Sequence, residues 1–346
     1  MTLRAASPPV GAPQMTRIDS MSGLRNRLMI GLGLGVLAMV GLALWADLPS
    51  LRNALGRFDW RLFPLVLGCT LFNYTLRFFK WHYYVRLLGV RTLSASRSAR
   101  LFVAGFPLAF TPGKVGEALK AVWLAEWSGL PFASGLPIVI AERISDGLAV
   151  MALSALGVFT YPQFWPGFLA IVLGVLGLIV VSQIRPLALA VLGWVSRLPV
   201  LGPRVAGLRA FYESSYRLFK PRPLVVAVGL GTISWLGEGV GFFIILVGLG
   251  LDPSPHLLIL AIFVLAFSTV VGAVSALPGG VGAVEATLTG LLVLAMHPEH
   301  SLAGAATILI RLGTLWFGMA LGLGVWATTP ILWKIHDRAG AGNVAG

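Results

Sequence analysis

Two short segments, each inside a long apolar stretch, decide the fold: residues 112–117 read PGKVGE, and residues 278–285 read PGGVGAVE. Both segments open with Pro-Gly and end on a glutamate, Glu117 or Glu285. Proline lacks a backbone N–H and glycine has a low helical preference, so this pair of residues interrupts an apolar helix. Each segment is therefore predicted to be a break inside a membrane-embedded stretch.

The two segments are copies of one pattern. Arg143 follows Glu117 by 26 positions, and Arg311 follows Glu285 by the same 26 positions. Both arginines lie within the next apolar run. The shared motif, the following glutamate and the equal offset to an arginine together indicate an internal repeat.

The composition excludes a soluble globular protein. Of 346 residues, 57% are hydrophobic and only 11% are charged, and the mean hydropathy is +0.87. An average soluble domain has about 25% charged residues. Lysine and arginine number 26 against 13 acidic residues, which gives a net charge of +13. The single cysteine, Cys69, excludes a disulfide framework and a zinc site built from thiols.

Hydropathy predicts the membrane-spanning segments, because a spanning helix needs about 20 mostly apolar residues. Six full spans are predicted at about 28–46, 62–79, 136–160, 167–183, 224–250 and 302–328. Two further apolar stretches, 101–125 and 257–296, are broken by proline and glycine.

The distribution of basic residues predicts the orientation, because lysine and arginine in short loops stay on the cytoplasmic side. A cytoplasmic N-terminus places 19 basic residues inside, including Arg77 and Lys80, and leaves Arg52, Arg57 and Arg61 outside. This asymmetry requires both broken stretches to return to the side from which they enter. We therefore predict an all-α polytopic protein of the cytoplasmic (inner) membrane with both termini cytoplasmic. Its two Pro-Gly re-entrant hairpins enter from opposite sides, as an inverted repeat.

The predicted organisation has one large domain. A flexible basic N-terminus over 1–27 precedes a single transporter-like domain over 28–328, and a cytoplasmic tail covers 329–346. Within the domain, repeat A spans about 62–160 and repeat B about 224–328; the span 167–183 and a basic interfacial segment, 186–220, join them.

Inverted repeats with broken helices are typical of secondary transporters, whose sites lie near the membrane midplane. Free backbone N–H groups at such a break favour an anion such as phosphate. A guanidinium can hold a carboxylate and still present donors to a phosphate. The predicted substrate-binding residues are Arg143, Arg311, Lys114, Gly113, Gly116, Gly279, Gly280 and Gly282.

Buried carboxylates form the second predicted group, for coupling or for charge pairing. Glu117 with Arg143, and Glu285 with Arg311, have a structural alternative as salt bridges that attach each hairpin to the next span. Glu142 and Asp146 share a helix face beside Arg143, and either hold that arginine or accept a coupling proton. Glu238 has no partner in the sequence and is the candidate titrating group, with a protonated and inactive glutamate as the alternative.

Other site types lack support in the sequence. His297 and His300 have the spacing of metal ligands, but a proline separates them and no third ligand is evident, so neither a metal nor a cofactor is expected. Nucleic-acid binding is set aside despite the pI of about 10.8, because the basic residues are spread over loops and form no known module.

The sequence resembles the transmembrane domain of bacterial lysylphosphatidylglycerol synthases and the stand-alone flippase-like proteins related to it. The resemblance rests on residues 111–117, on Glu142-Arg143 with Asp146, and on residues 277–282 with Glu285. It implies movement of a lipid or lipid-linked headgroup between leaflets, with members tied to aminoacylated phospholipids, polyprenyl-linked sugars and hopanoids. The sequence ends about seventeen residues after the sixth span, without a synthase domain, so lipid synthesis is not expected.

Three functions remain at this point. The first is a lipid flippase or transporter without enzymatic activity, whose ligands are anionic phospholipids, polyprenyl-linked lipids or hopanoids. The second is a non-catalytic membrane partner that recruits a lipid-synthesis enzyme through the basic segment 184–223. The third is an intramembrane enzyme acting on headgroups, with Glu117, Glu142 or Asp146 as general base. The sequence carries no signal for the oligomeric state.

Overall fold

The computed structural model describes residues 21–45, 47–158, 165–197, 205–296 and 300–329. These residues form helices and connecting turns, without a β-strand in any of the described ranges. The helices are α1 Met21–Trp45, α2 Leu48–Arg57, α3 Phe63–Leu87, α4 Ala95–Ala104, α5 Leu119–Ser128, α6 Phe132–Val158, α7 Trp165–Ser182, α8 Arg185–Val195, α9 Val205–Leu218, α10 Pro221–Gly248, α11 Pro255–Val274, α12 Ala283–Met296, α13 His300–Arg311 and α14 Phe317–Thr328.

The described helices make this a multi-pass membrane protein. Five segments have the length and apolar composition of a span, and α7 with α8 makes a sixth if this pair, bent by 73°, is one broken span. Helices α1 and α6, with 25 and 27 residues, are also long enough to cross. The five segments are Trp60–Leu87, Pro221–Gly248, Pro255–Val274, Pro278–Met296 and His300–Thr328.

The two ends of the chain fall largely outside the described residues. Residues 1–20 of the predicted flexible N-terminus, and residues 330–346 of the predicted tail, belong to that part. Helix α1 begins at Met21, so residues 21–27, which were predicted to be flexible, are helical.

The first broken stretch is a short hairpin. Helices α4 and α5 have ten residues each, about 15 Å at 1.5 Å per residue, which is half of a hydrocarbon core of about 30 Å. Tight 3-10 turns over 107–118 connect them. These lengths suit the re-entrant hairpin predicted for 101–125, with arms that extend to 95 and 128.

The second broken stretch has a longer first arm than a re-entrant hairpin needs. Helix α11 has 20 residues, about 30 Å, which is enough to cross the hydrocarbon core. No proline or glycine interrupts 257–271, so the break is confined to 275–282. The prediction of a break within 257–296 is correct in place, but the first arm is a helix of spanning length.

The tips of the two hairpins meet. The backbone N–H of Gly113 donates a hydrogen bond of 2.9 Å to the carbonyl of Ala276. Both residues have positive φ, 59° and 54°, which places the backbone in the left-handed region. At Gly113 this costs little because the residue has no Cβ, whereas Ala276 is held there by its surroundings.

The order of elements occurs twice in the chain. Helix α3, the hairpin α4–α5 and helix α6 come first; helix α10, the hairpin α11–α12 and the pair α13–α14 follow. The packing is reciprocal: α3 lies against α10, while α6 contacts the second hairpin through α11 and α14 contacts the first through α4. Such exchange of contacts is what two copies related by an approximate two-fold axis produce.

Between the copies, the basic segment predicted to be interfacial, 186–220, forms a pair of helices, α8 and α9. Helix α9 packs along α6, and Arg185 at the start of α8 forms an ion pair of 2.9 Å with Glu213 in α9. The helix pair is therefore present, and its position at the membrane surface remains a prediction.

Helix α1 packs on the hairpin tips at two glycines. A Cβ atom at Gly31 would lie 2.1 Å from the carbonyl oxygen of Phe110, and one at Gly35 would lie 3.3 Å from Trp316. Close approach at small residues is typical of packing between membrane helices.

We expect Gly31→Ala to lower the stability of the protein by about 1–3 kcal/mol, because a backbone carbonyl cannot yield to a new methyl group. Gly33→Ala is the matched control, since a Cβ atom at Gly33 meets nothing within 4 Å. Thermal unfolding of the purified protein in detergent measures both changes. Equal unfolding temperatures for the two variants would contradict this packing of α1.

Candidate functional site

One cavity of about 820 Å³ lies where the two hairpin tips meet α3, α6, α10 and α13. Four predicted site residues, Gly116, Glu142, Gly282 and Glu285, do not line it. The remaining predicted residues all contribute to its wall: Gly113, Lys114, Glu117, Arg143, Asp146, Glu238, Gly279, Gly280 and Arg311.

The first predicted ion pair joins the first hairpin to α6. Arg143 Nε lies 2.9 Å from Glu117 Oε2. The glutamate side chain is 4% exposed, whereas that of Arg143 is 33% exposed and borders the cavity. No hydrogen bond from the two Nη atoms to any described residue is present. The pair therefore attaches the hairpin and also leaves guanidinium donors available to a ligand.

The second predicted ion pair holds the second hairpin tip. Arg311 Nε lies 2.6 Å from Glu285 Oε1, and Arg311 Nη2 donates to the carbonyl of Gly279 at 3.1 Å. Glu285 Oε2 accepts the backbone N–H of Gly282 at 2.6 Å, as the glutamate of a capping box does. The Arg311 side chain is 9% exposed, so most of its donors serve the tip.

Glu142 and Asp146 do not hold Arg143, which corrects one of the two roles predicted for them. Glu142 Oε2 pairs with Lys120 Nζ at 2.5 Å, and Asp146 forms an ion pair with Lys80. Each of these carboxylates is therefore held by a lysine of a neighbouring helix.

A second cation, Arg77, also reaches Asp146, with 3.3 Å between Arg77 Nη2 and Asp146 Oδ2. Its guanidinium carbon lies 5.7 Å from the centre of the Trp235 ring, a cation–π distance. One carboxylate of α6 therefore pairs with two cations from α3, and the three groups together keep one positive charge.

The sequence reasoning did not assign Lys80, Lys120 or Arg77 to the site. Lys80 and Arg77 were assigned to the cytoplasmic loop after the second span, yet α3 continues to Leu87, and Lys80 is fully buried. Lys120 Nζ lies 4.2 Å from the centre of the Trp81 ring. The only sequence signal for Lys120 is its position three residues after Glu117, within an apolar run.

Four of the five predicted glycine N–H groups at the tips are not free for an anion, which corrects the predicted role of those four glycines. Gly113 donates to Ala276, Gly116 to Thr111 Oγ1 at 2.8 Å, and Gly280 to the carbonyl of Leu277 at 2.9 Å. The Gly282 N–H is used by Glu285, as described above. An anion in this cavity would therefore contact side chains and, of these N–H groups, only that of Gly279, which lines the cavity and has no backbone partner among the described residues.

After Arg143, Lys114 is the second cation at the cavity whose hydrogen-bond donors remain available to a ligand. It occupies the left-handed region at the first tip, with φ of 56°, and its half-buried side chain lines the cavity. No carboxylate among the described residues lies within ion-pair distance of its ammonium group.

Glu238 in α10 lies on the opposite wall. It is 5% exposed and lines the cavity, and no described residue forms an ion pair or hydrogen bond with its carboxyl group. One turn earlier, the buried Nε1 of Trp235 also lacks a hydrogen-bond partner in the described structure. The carboxyl group therefore remains the cavity's candidate for proton binding.

The cationic side chains around the cavity donate hydrogen bonds. They therefore suit a ligand such as phosphate, whose oxygens accept hydrogen bonds. Within the described ranges, no group of three or more histidine, cysteine or acidic residues is placed to hold a metal ion. His297 lies outside the described residues, whereas His300 starts α13.

Comparison with known proteins gives one family match. Residues 29–322 match the family described as Lysylphosphatidylglycerol synthase TM region. A UPF0104 membrane protein of Methanothermobacter thermautotrophicus is 25% identical over 315 residues, which are 84% of this chain and 90% of that protein. A UPF0104 membrane protein of Pyrococcus horikoshii is 23% identical over 316 residues, 84% of this chain and 93% of the relative.

A longer relative shares the same region. Glycosyltransferase AglD of Haloferax volcanii is 23% identical over 368 residues, which cover 92% of this chain and 57% of that protein. No solved structure matches this chain.

Proposed function

Because the chain belongs to the family of the lysylphosphatidylglycerol synthase TM region and spans the membrane several times, we propose that it is a lipid flippase. It moves an anionic or lipid-linked headgroup between the leaflets of the cytoplasmic membrane. Both termini lie in the cytoplasm, and the lipid leaves chemically unchanged.

The observation that carries this proposal is the cavity between the two hairpin tips. Its wall combines the guanidinium of Arg143 and the ammonium of Lys114 with a largely apolar surround. A charged group at the centre of a bilayer costs about 2.5–3.5 kcal/mol even on insertion scales. Cationic donors at that depth lower the barrier for an anionic headgroup, because they replace part of its hydration.

The size of the cavity favours a headgroup over a whole lipid. A volume of about 820 Å³ lies within the range of about 300–1,000 Å³ that small-molecule sites occupy. It accommodates a phosphate with a small substituent, while two acyl chains exceed it. In this proposal the chains stay in the bilayer, and the headgroup alone passes through the protein.

The hairpin tips supply a gate. One tip belongs to each repeat, and the Gly113 to Ala276 hydrogen bond closes the contact between them. Separation of the tips breaks a neutral hydrogen bond, worth about 0.5–1.5 kcal/mol, so this contact is a small barrier to movement. The ligands proposed are anionic phospholipids and polyprenyl-linked or hopanoid lipids.

Leaflet-resolved transfer in proteoliposomes tests the proposal. We expect vesicles that contain the protein to exchange acyl-labelled phosphatidylglycerol or labelled polyprenyl phosphate between leaflets faster than empty vesicles. Chromatography after the assay checks that both headgroups are unchanged. Transfer of both probes at the rate of empty vesicles would show that the proposal is wrong.

A further inference from the structure

Five carboxylate side chains are buried among the described residues, and four of them have a cation beside them. Glu117, Glu142, Asp146 and Glu285 each lie within 4 Å of an arginine or lysine nitrogen. Glu238 is the exception: its side chain is buried in the cavity wall without an ionic or hydrogen-bonding partner in the described structure.

The groups that face Glu238 come from the helices packed against α10. Helix α3 contributes Arg77, Tyr74 and Cys69, helix α6 contributes Asp146, and α13 contributes Arg311. Helix α11 has no ionisable side chain between 257 and 274. The other contacts of α10 lie near its ends, with α9 and with the turn Trp60–Leu62.

Both cations in this set are already paired with other carboxylates. Arg77 shares Asp146 with Lys80, so these three groups keep one positive charge, and Arg311 pairs with Glu285. No cation of the described structure lies within ion-pair distance of Glu238. An ionised carboxylate in such a place is unfavourable, because burial removes its hydration and no cation replaces it. The group is stable when it carries a proton.

The charges around the cavity connect this proton to the proposed ligand. Six buried or half-buried cations oppose the four paired carboxylates, so the cluster carries an excess of two positive charges when Glu238 is protonated and of one when it is ionised. An anion in the cavity is therefore held more strongly when Glu238 carries a proton. The cations are Arg77, Lys80, Lys114, Lys120, Arg143 and Arg311.

We propose that Glu238 is a proton-binding site and that a proton crosses the membrane together with the anionic headgroup. This inference rests on the proposed flippase function. Proton and anion binding are thermodynamically linked, so each raises the affinity for the other by the same factor. A proton gradient then drives the headgroup in the direction in which protons flow.

The experiment measures transfer of acyl-labelled phosphatidylglycerol and of labelled polyprenyl phosphate in proteoliposomes, with and without a proton gradient. For each probe, the rate with the gradient is divided by the rate without it. For the parent protein we expect this ratio to exceed one, up to about tenfold for a gradient of about one pH unit. For Glu238→Gln we expect this ratio to fall to one, because the amide cannot bind a proton. Glu213→Gln, a change in α9 away from the cavity, keeps the ratio of the parent.

Glu238→Asp is measured as well, so that loss of folding in one variant does not decide the result. A gradient response that Asp retains and Gln loses supports the proposal. A Gln variant that responds like the parent, Gln and Asp variants that are both folded and inactive, or a parent that responds only to a sodium gradient would each overturn it. In these cases the flippase function stands. If the parent moves neither probe, the flippase function itself is wrong and the coupling falls with it.

Discussion

Replacing Arg143 by alanine is expected to slow lipid transfer by about 10- to 100-fold. The arginine presents free guanidinium donors to the cavity, and hydrogen bonds that involve a charged group contribute about 1.5–3 kcal/mol. Arg143→Lys recovers only part of the rate, because an ammonium group keeps the charge but lacks the planar fork that suits phosphate. Leaflet-resolved transfer in proteoliposomes measures all three proteins.

The single alanine variant also leaves Glu117 buried without its partner, which by itself destabilises the protein. The double variant Glu117→Gln/Arg143→Gln separates the two effects, since it removes both charges and leaves no unpaired buried charge at this position. We expect it to unfold closer to the parent temperature than Arg143→Ala and still to transfer lipid slowly. If a folded double variant transferred lipid at the parental rate, Arg143 would not be the headgroup ligand.

Replacing Arg311 by alanine is expected to destabilise the fold by about 3–5 kcal/mol. The change leaves Glu285 as an uncompensated buried charge, and removal of one partner of a buried ion pair typically has this cost. It also removes the donor to the Gly279 carbonyl at the second tip. The unfolding temperature in detergent and the folded fraction on gel filtration measure the loss.

A second substitution shows whether the loss comes from the orphaned charge. In Glu285→Gln/Arg311→Ala the amide oxygen of the glutamine can still accept the Gly282 N–H, while the buried charge is gone. We expect this variant to be more stable than Arg311→Ala alone. An Arg311→Ala protein that unfolds at the parental temperature would contradict the tip-holding role.

The two arginines show the limit of the repeat as a predictor. Equal spacing from a glutamate assigns them the same role, and both ion pairs are present at 2.9 and 2.6 Å. Their exposures differ, at 33% for Arg143 and 9% for Arg311, because Arg311 also holds the Gly279 carbonyl. The difference arises from how each hairpin tip lies against its helix, and spacing along the chain carries no information about that.

The broken stretches show the same difference between what the sequence predicts and what the tertiary structure decides. Proline and glycine at 112–113 and 278–279 predict the two interruptions correctly, since the helical preference of the backbone is a local property. The availability of the Gly113 N–H group was predicted incorrectly. Gly113 donates to Ala276, which lies in the other repeat, so its availability depends on a contact between distant parts of the chain.

The sequence by itself determined the membrane class, most of the spans, the positions of the two breaks and the pairing of each hairpin glutamate with the arginine 26 residues later. These properties follow from hydropathy and local backbone preference, and from a spacing that occurs twice. Only the tertiary structure decided that Asp146 pairs with Lys80, 66 positions away, and Glu142 with Lys120. It also decided that Glu238 has no such partner among the described residues. Ion pairing depends on which side chains packing brings within about 4 Å, and that distance is set by helix contacts rather than by order along the chain.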